Sequence, residues 1–575
     1  MNIVGLSAGY HESACCLLRD GELVAAAEEE RFSRLKHDPR LPLGALRFCL
    51  ERGGIGIDQV DALAYYESPV KKLARQLWAG QASQLSDLDA GRVERDLRER
   101  AGFAGPILSF EHHQSHAASS FFYSGFEEAA VLTMDGVGEW ATTTYGRGRG
   151  SNLAIFEEVH YPHSLGLLYS TITAFLGFRV NDGEYKVMGL APYGKPSCLD
   201  ALRRLIRLEE RGQFALDMRY FDFVAGNRMH TDALCDLLAM PPRAPGTELG
   251  DCHRDLARSL QLLLEEVLLE KVRYLAREVA SPNLCLAGGV ALNCVANRRI
   301  LDDGPFEELF VQPAAGDSGT CLGAAALAHV ALAGERPQRR RLEQVSLGPA
   351  FSSCHIGGLL AAAGIAAQDF SGREPELLAA VVERLLAGEV AGWFQDRMEF
   401  GPRALGARSI LADPRRPEVR DRVNRLIKKR EDFRPFAPSV LLEHAAAHFA
   451  LGHPSPFMLE TCPVRSAIDL PGITHVDGSA RPQTVDRRHL PRYAALLDTF
   501  HRRTGCPILL NTSFNVDGEP IVCTPEDALR SMAAARLDAL VLGDYLVDLA
   551  AVPAAWAELR PPAASAIVHR TYTFI

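Results

Sequence analysis

Residues 2–28 and 129–158 repeat one order of elements, and this repetition limits the possible folds more than any other feature of the chain. In the first copy an apolar strand, Asn2 to Ala8, leads into a polar loop carrying His11. A hairpin follows, with Asp20-Gly21 as a strong two-residue turn signal. In the second copy an apolar strand ends at Asp135, followed by a loop containing Gly136 and Gly138. A threonine-rich strand, Ala141 to Tyr145, then turns through glycine into another strand. Two such units predict an α/β core made by duplication.

That pattern is the one found in actin-like phosphotransferases, where nucleotide lies between the two halves. Further along, Leu256, Leu260, Leu263, Leu264, Val267, Leu268, Val272 and Leu275 recur with helical spacing and predict one long amphipathic helix over 255–279. A buried strand, Asn283 to Ala287, then enters the turn Gly288-Gly289-Val290-Ala291-Leu292-Asn293, and a second glycine turn follows at Gly316-Asp317-Ser318-Gly319. Glycines at strand ends let backbone amides approach phosphate or ribose closely, although a lone turn of this kind is as often only a tight turn. The basic stretch from Gly334 to Gln344 and the restart of the pattern after Pro349 place a domain boundary near residue 350. At 575 residues the chain needs at least two large domains.

His112 and His116 are spaced to lie on one face of a helix, about 6 Å apart, so both imidazoles can reach one metal ion while strand-end Asp135 closes the site. Two helix histidines with ordinary hydrogen bonds would show the same spacing. His113 points elsewhere, to the surface or behind the ligands. It stands where a zinc protease of the HExxH type needs its glutamate, which disfavours proteolysis. In the C-terminal part, cations gather near small residues at Arg397, Arg403, Lys428 to Arg430 and Arg434, followed by a turn at Asn511 to Asn515. Arginine forks and hydroxyls suit a phosphate or carboxylate, while Glu399, Asp413, Glu431 and Asp432 offer the plainer alternative of ion pairs.

With 72 acidic against 62 basic residues, the net charge of −10 disfavours a dedicated nucleic-acid or anionic-membrane partner. The N-terminus lacks an uninterrupted apolar run, and no stretch is long enough to span a bilayer, so a cytoplasmic protein is expected. The 13 cysteines are scattered without a CxxC pair, which fits buried thiols better than a disulfide framework.

Assembled, these residues resemble the carbamoyltransferase family that includes the nodulation-factor, cephamycin and tobramycin O-carbamoyltransferases. The resemblance covers nearly the whole chain. It is carried by Glu28 to His37, His112 to Ala118, Lys186 to Ala191, Gly288 to Asn293, Gly401 to Gly406, Arg430-Glu431 with Phe433 to Pro438, and Asn511 to Asn515. It implies an actin-like (duplicated RNase H-like) domain over residues 1–349 fused to a YrdC-like α+β domain over 350–575. The C-terminal domain would bind carbamoyl phosphate and ATP through Arg403, Lys428, Arg481, Ser513 and Asn515, and form carbamoyl-adenylate. In the N-terminal domain that intermediate would meet a divalent metal held by His112, His116, Asp135 and Asp317. The metal implied is Fe(II), with Zn(II) or Mn(II) as alternatives and Mg(II) as a companion of ATP. Lys36, Lys186, Gly288, Gly289, Asn293 and Gly316 would contact the nucleotide.

The resemblance also sets His11 opposite the acceptor hydroxyl, where an imidazole with an ordinary pKa of about 6.5 can take a proton at neutral pH. The family commonly has aspartate after this histidine. Here it is Glu12, which is expected to alter how His11 is oriented. The function expected is O-carbamoyl transfer to a hydroxyl of a small natural product in antibiotic biosynthesis, with no nucleic acid or membrane partner and with homo-oligomerisation left open. The alternatives are the same chemistry on an amine or tRNA, and a non-catalytic actin-like nucleotide-binding regulator. A sugar kinase is a third choice, and it would leave the C-terminal half without a purpose.

Overall fold

The computed structural model describes residues 1–80, 89–224, 228–337, 339–424 and 431–559. The chain forms two compact units. The first contains Met1–Glu29 and His37–Leu342. The second begins at Glu343 and also includes Glu30–Lys36.

Within the first unit the expected repeat is present as two five-stranded sheets of the same topology. Strands β1 (Asn2–Ser7), β2 (Ala14–Arg19), β3 (Glu22–Glu28), β4 (Ala62–Tyr65) and β5 (Ile107–Ser109) are ordered β3-β2-β1-β4-β5. β1, β2 and β3 form an antiparallel meander, and β4 and β5 add in parallel to β1. The hairpin between β2 and β3 turns at Asp20 and Gly21, both at positive φ, as that dipeptide favours. The second sheet uses β6 (Glu128–Met134), β7 (Ala141–Arg149), β8 (Asn152–His160), β9 (Asn283–Ala287) and β10 (Glu308–Val311), ordered β10-β9-β6-β7-β8. Again three strands are antiparallel and two add in parallel. Parallel additions require crossovers. The long one, between β8 and β9, contains the 28-residue helix Asp251–Glu278, whose apolar face is buried from Leu256 to Leu275.

Helices α1 (Pro69–Trp78), α2 (His112–Phe121), α3 (Leu165–Phe175) and α4 (Thr320–Ala333) matter most for the site. α4 is apolar on every side and buried from Thr320 through His329, as expected of a helix at the centre of a core. It packs on α2 so closely that a Cβ on Gly323 would lie 1.8 Å from the carbonyl oxygen of Ser115. Any side chain there must push the helices apart.

The second unit is built on an eight-stranded mixed sheet. Its strands are β11 (Gln368–Asp369), β12 (Ala391–Phe394), β13 (Arg408–Ala412), β14 (Ala437–Leu441), β15 (Gln483–Val485), β16 (Ile508–Ser513), β17 (Ala539–Leu542) and β18 (Tyr545–Asp548), ordered β11-β18-β17-β12-β13-β16-β14-β15. Trp393, Phe500, Phe514 and the aliphatic residues of β16 and β17 fill its core. Residues Glu30–Lys36 are stitched into this unit. Arg31 donates to the Gly401 carbonyl at 3.0 Å, and Arg34 donates to the carbonyls of Ile521 and Pro520 at 2.7 and 2.8 Å. Phe32 packs against Met398, Ala404, Ile521 and Cys523. The sequence reading had divided the chain at one boundary and did not contain this crossing.

Gly323→Ala is expected to lower stability by about 1–3 kcal/mol through overpacking. The check is the urea midpoint at an unchanged m-value, and an unmoved midpoint would contradict the close helix contact.

Candidate functional site

His112 opens α2, and its backbone amide is held by Glu139 from the loop after β6. The two carboxylate oxygens accept from His112 N–H at 3.0 and 3.1 Å, and one also accepts from Ser68 N–H, ahead of α1, at 2.6 Å. A carboxylate at a helix start satisfies an orphan amide and complements the dipole. Glu139 therefore fixes where both helices begin. One turn on, His116 follows on the same face.

The imidazoles converge. His112 Nε2 and His116 Nε2 are 3.1 Å apart and lie 3.1 and 3.2 Å from Asp135 Oδ2. Asp317, in the turn before α4, brings Oδ1 to 3.6 Å from both. All four ligand atoms lie within 4.8 Å of one another. Protons alone cannot satisfy this set, because at most one imidazole can donate toward the other. Asp317 is 1% exposed, and among the described residues neither of its carboxylate oxygens has a hydrogen-bond partner. Two buried carboxylates beside neutral imidazoles leave an uncompensated charge that costs several kcal/mol. One divalent cation removes that cost, so the donor set fits such an ion, and two nitrogens with two oxygens accept Fe(II), Zn(II) or Mn(II) alike.

The same imbalance appears in the proton affinities. Burial opposes protonation of His112, yet the charge of Asp317 and the bond and charge of Asp135 outweigh it and raise its pKa to about 9. Burial would push Asp135 up, but hydrogen bonds from His112 and His116, and their charges, hold its carboxyl well below the ordinary range. His113 is no surface residue. It is buried, with Nδ1 2.6 Å from Thr133 Oγ1, itself 2.6 Å from Thr144 Oγ1. Burial and the two neighbouring imidazoles keep His113 neutral.

Asp135 is fixed from behind. Its Oδ1 accepts from Gly289 N–H at 3.1 Å, and its backbone carbonyl accepts from Ser164 Oγ, the cap of α3, at 3.0 Å. Gly288 adopts φ +91°, and a Cβ there would lie 2.1 Å from the Met134 carbonyl. The glycine turn read as a nucleotide cradle thus gives its Gly289 amide to the metal-facing aspartate. Asn293 is similarly occupied: its Oδ1 accepts from Ala296 N–H, capping the next helix, and its amide group exchanges hydrogen bonds with Gln261.

His11 stands half-buried at the edge of the cluster, its Nδ1 3.9 Å from Asp317 Oδ2, and that nitrogen has no hydrogen-bond partner among the described residues. Glu12 adopts φ +57° and turns its carboxylate to His37, 3.6 Å away. Burial raises its pKa, but hydrogen bonding by His37 and the charges of His11 and His37 bring it down to about 2. The glutamate that replaces the family's usual aspartate is therefore engaged by His37. Gly316, read as a nucleotide contact, sits beside it, since a Cβ there would lie 2.6 Å from Glu12 Oε2. Lys186 lies 5.8 Å from the Phe178 ring centre, and Lys36 ends the segment that belongs to the second unit.

In that unit, Arg403 lies in the loop before β13, Arg481 precedes β15, and Ser513 ends β16, opposite Ser409 of β13. A buried polar network ties the three segments together. Asn511 Nδ2 lies 3.2 Å from the Ala404 carbonyl, 3.0 Å from Ser439 Oγ and 3.1 Å from Gln483 Oε1, while Gln483 Nε2 donates to the Leu405 carbonyl at 2.7 Å. Glu399 accepts from the amides of Leu405, Ala407 and Arg408. Ser513 Oγ donates to Asn515 Oδ1 at 2.7 Å. Lys428 lies outside the described residues. Of the acids expected to pair with arginines, Asp413 does so with Arg415 at 2.7 Å and Glu431 with Arg434 at 3.9 Å, whereas Glu399 holds backbone.

The first unit thus combines a duplicated α/β fold with a centre of two imidazoles and two carboxylates, and the second unit is built on a mixed sheet. Residues 2–79 and 77–326 match the family model described as carbamoyltransferase N-terminus, and residues 382–548 match that described as carbamoyltransferase C-terminus. The chain belongs to the carbamoyltransferase family. It is 44% identical to an uncharacterized protein of Synechocystis, over 96% of this chain and 97% of that protein. It is 39% identical to nodulation protein NolNO of Sinorhizobium fredii, over 98% and 83%. With the 3'-hydroxymethylcephem-O-carbamoyltransferase of Streptomyces clavuligerus it shares 33% identity, over 52% of this chain and 54% of that enzyme.

The protein is expected to bind one divalent ion per chain, measured by elemental analysis after gel filtration. His116→Ala and Asp317→Asn should each weaken binding by more than about tenfold, since even partners of metal ligands are worth that much. His113→Gln should keep one equivalent, and loss of the ion in this variant would overturn the ligand assignment.

Proposed function

We propose that this protein is an O-carbamoyltransferase that activates carbamoyl phosphate with ATP and delivers the carbamoyl group to a hydroxyl of a small natural product. The observation that carries the reading is the buried centre of His112, His116, Asp135 and Asp317 with His11 at its edge, in a chain that matches both halves of the carbamoyltransferase family. The relative from Streptomyces is named for transfer to a hydroxymethyl oxygen, which supports a hydroxyl acceptor here. On this reading the first unit is an actin-like domain, supported by its two sheets of equal topology, and the second is YrdC-like.

In the second unit, Arg403, Lys428 and Arg481 balance charge on the phosphoryl oxygens, and Ser513 with Asn515 orients them. Water cleaves carbamoyl phosphate to carbamate and inorganic phosphate, and a carbamate oxygen then attacks the α-phosphorus of ATP, giving carbamoyl-adenylate and expelling pyrophosphate. In the first unit, His11 takes the proton of the acceptor hydroxyl as its oxygen attacks the carbamoyl carbon and AMP leaves. A divalent ion held by His112, His116, Asp135 and Asp317, Fe(II) in this reading, would supply Lewis-acid stabilisation of the adenylate phosphate. Gly289 and Ser164 keep Asp135 in place, and Lys186 would contact the nucleotide. The acidic chain favours a small acceptor over tRNA, and a cytoplasmic setting follows from the need for ATP.

The test is mass spectrometry of the products formed from ATP and carbamoyl phosphate without acceptor. Carbamoyl-adenylate and pyrophosphate are expected, whereas ADP alone, or no product, would refute the reading. Arg403→Ala should abolish adenylate formation and spare transfer from supplied carbamoyl-adenylate. His11→Asn should spare adenylate formation and slow transfer by about two to four orders of magnitude. Equal loss of both activities in both variants would rule out two separate sites.

A further inference from the structure

Arg75, on α1, is a buried guanidinium that makes no ion pair among the described residues. It is 3% exposed, and its Nε and Nη1 atoms are buried without a hydrogen-bond partner among the described residues. The nearby acids are used elsewhere. Glu67 accepts from Lys72 at 2.8 Å and from the Tyr65 hydroxyl at 3.3 Å, and Glu139 is committed to backbone amides. What Arg75 does touch is aromatic: its Cζ lies 5.5 Å from the centre of the Tyr161 ring. Tyr161 packs edge-on against Trp78, and Trp78 against Trp140, at 6.2 and 5.6 Å.

A fixed charge so placed is costly unless a ligand completes it. Arginine does not shed its proton at neutral pH, so the cost of burial is recovered only when an anion arrives. Its position says which molecule brings that anion. Lys72, one turn before Arg75 on α1, donates to the Gly9 carbonyl at 3.2 Å, and the ring of Tyr10, next along that loop, lies 4.3 Å from the ring of His11. Arg75 thus shares the neighbourhood of the base. Trp78, Trp140 and Tyr161 add flat apolar surfaces of the kind that pack against ring faces.

We propose that Arg75 anchors a carboxylate or phosphate ester carried by the acceptor, beside the hydroxyl that faces His11. The inference rests on the reading of His11 as the base at the acceptor. Arg75 is accordingly a specificity determinant: it selects acceptors that carry one negative group, and the aromatic residues hold the ring that bears it.

The experiment uses the full-length, metal-loaded enzyme with acetate, inorganic phosphate and AMP as probes, at constant ionic strength. Contacts of phosphate with the metal are common to all variants, so the difference between variants isolates Arg75. Wild type is expected to bind acetate and phosphate at least tenfold more tightly than Arg75→Met, with Arg75→Lys between them and AMP affinity unmoved. Arg75→Met should also melt at or above the wild-type temperature in the absence of anions, because it removes an uncompensated charge. Equal anion binding by wild type and Arg75→Met would overturn the proposal. So would a fall in AMP affinity, which would give the anion to the nucleotide, or a fall in melting temperature without anions, which would make Arg75 structural. Failure of carbamoyl-adenylate formation in wild type would instead defeat the proposed function, and the anion measurements would read independently of it.

Discussion

The metal-type centre depends on how closely two helices can approach. α2 carries His112 and His116, and the turn before α4 carries Asp317, so the distance between these groups is set by backbone packing where Gly323 meets Ser115. Helix pairs separated by ordinary side chains lie 8–10 Å apart. Removing the side chain at the crossing brings α4 inward and places a carboxylate within coordinating range of both imidazoles. Polar support then follows in layers. Glu139 sets the start of α2, Ser164 and Gly289 set Asp135, and the threonine pair behind His113 fills the space beneath the ligand helix.

The second unit solves a similar problem without a buried charge cluster. Its candidate anion-binding residues come from three segments far apart in sequence, and the side chains of Asn511, Ser439 and Gln483 bind one another and the loop carbonyls of Ala404 and Leu405. A buried network of this sort ties the loop carbonyls to the sheet and restricts the loop's conformation. Arg403 owes its place to it, although none of the network residues carries charge.

Much of this was legible in the residues, and the division between what was and what was not is physical. Local signals were clear: Asp20-Gly21 made the hairpin, Asn283 to Ala287 made a strand, and the i, i+4 histidines share a helix face. Asp317 was beyond local reasoning, because its partners lie some two hundred residues away in the chain, and only family resemblance pointed to it. Glu139 was missed for the same reason, since a carboxylate that caps a helix from another loop leaves no periodic trace. The family resemblance puts Gly289 and Asn293 at the nucleotide, and in the structure the Gly289 amide and the Asn293 side chain are engaged within the protein. Arg75 belongs to no sequence motif, and only its burial sets it apart.

The polypeptide passes from the first unit to the second at Glu30, returns at His37 and passes again after Leu342. A fragment starting at Glu343 would therefore lack Phe32, and Met398, Ala404, Ile521 and Cys523 would lose an aromatic ring from their packing. Its loop carbonyls at Gly401, Pro520 and Ile521 would lose their arginine donors as well. The two halves are thus not interchangeable modules joined by a tether. A recombination event that grafted a foreign C-terminal half onto this N-terminal half would also have to match seven residues encoded more than three hundred codons upstream.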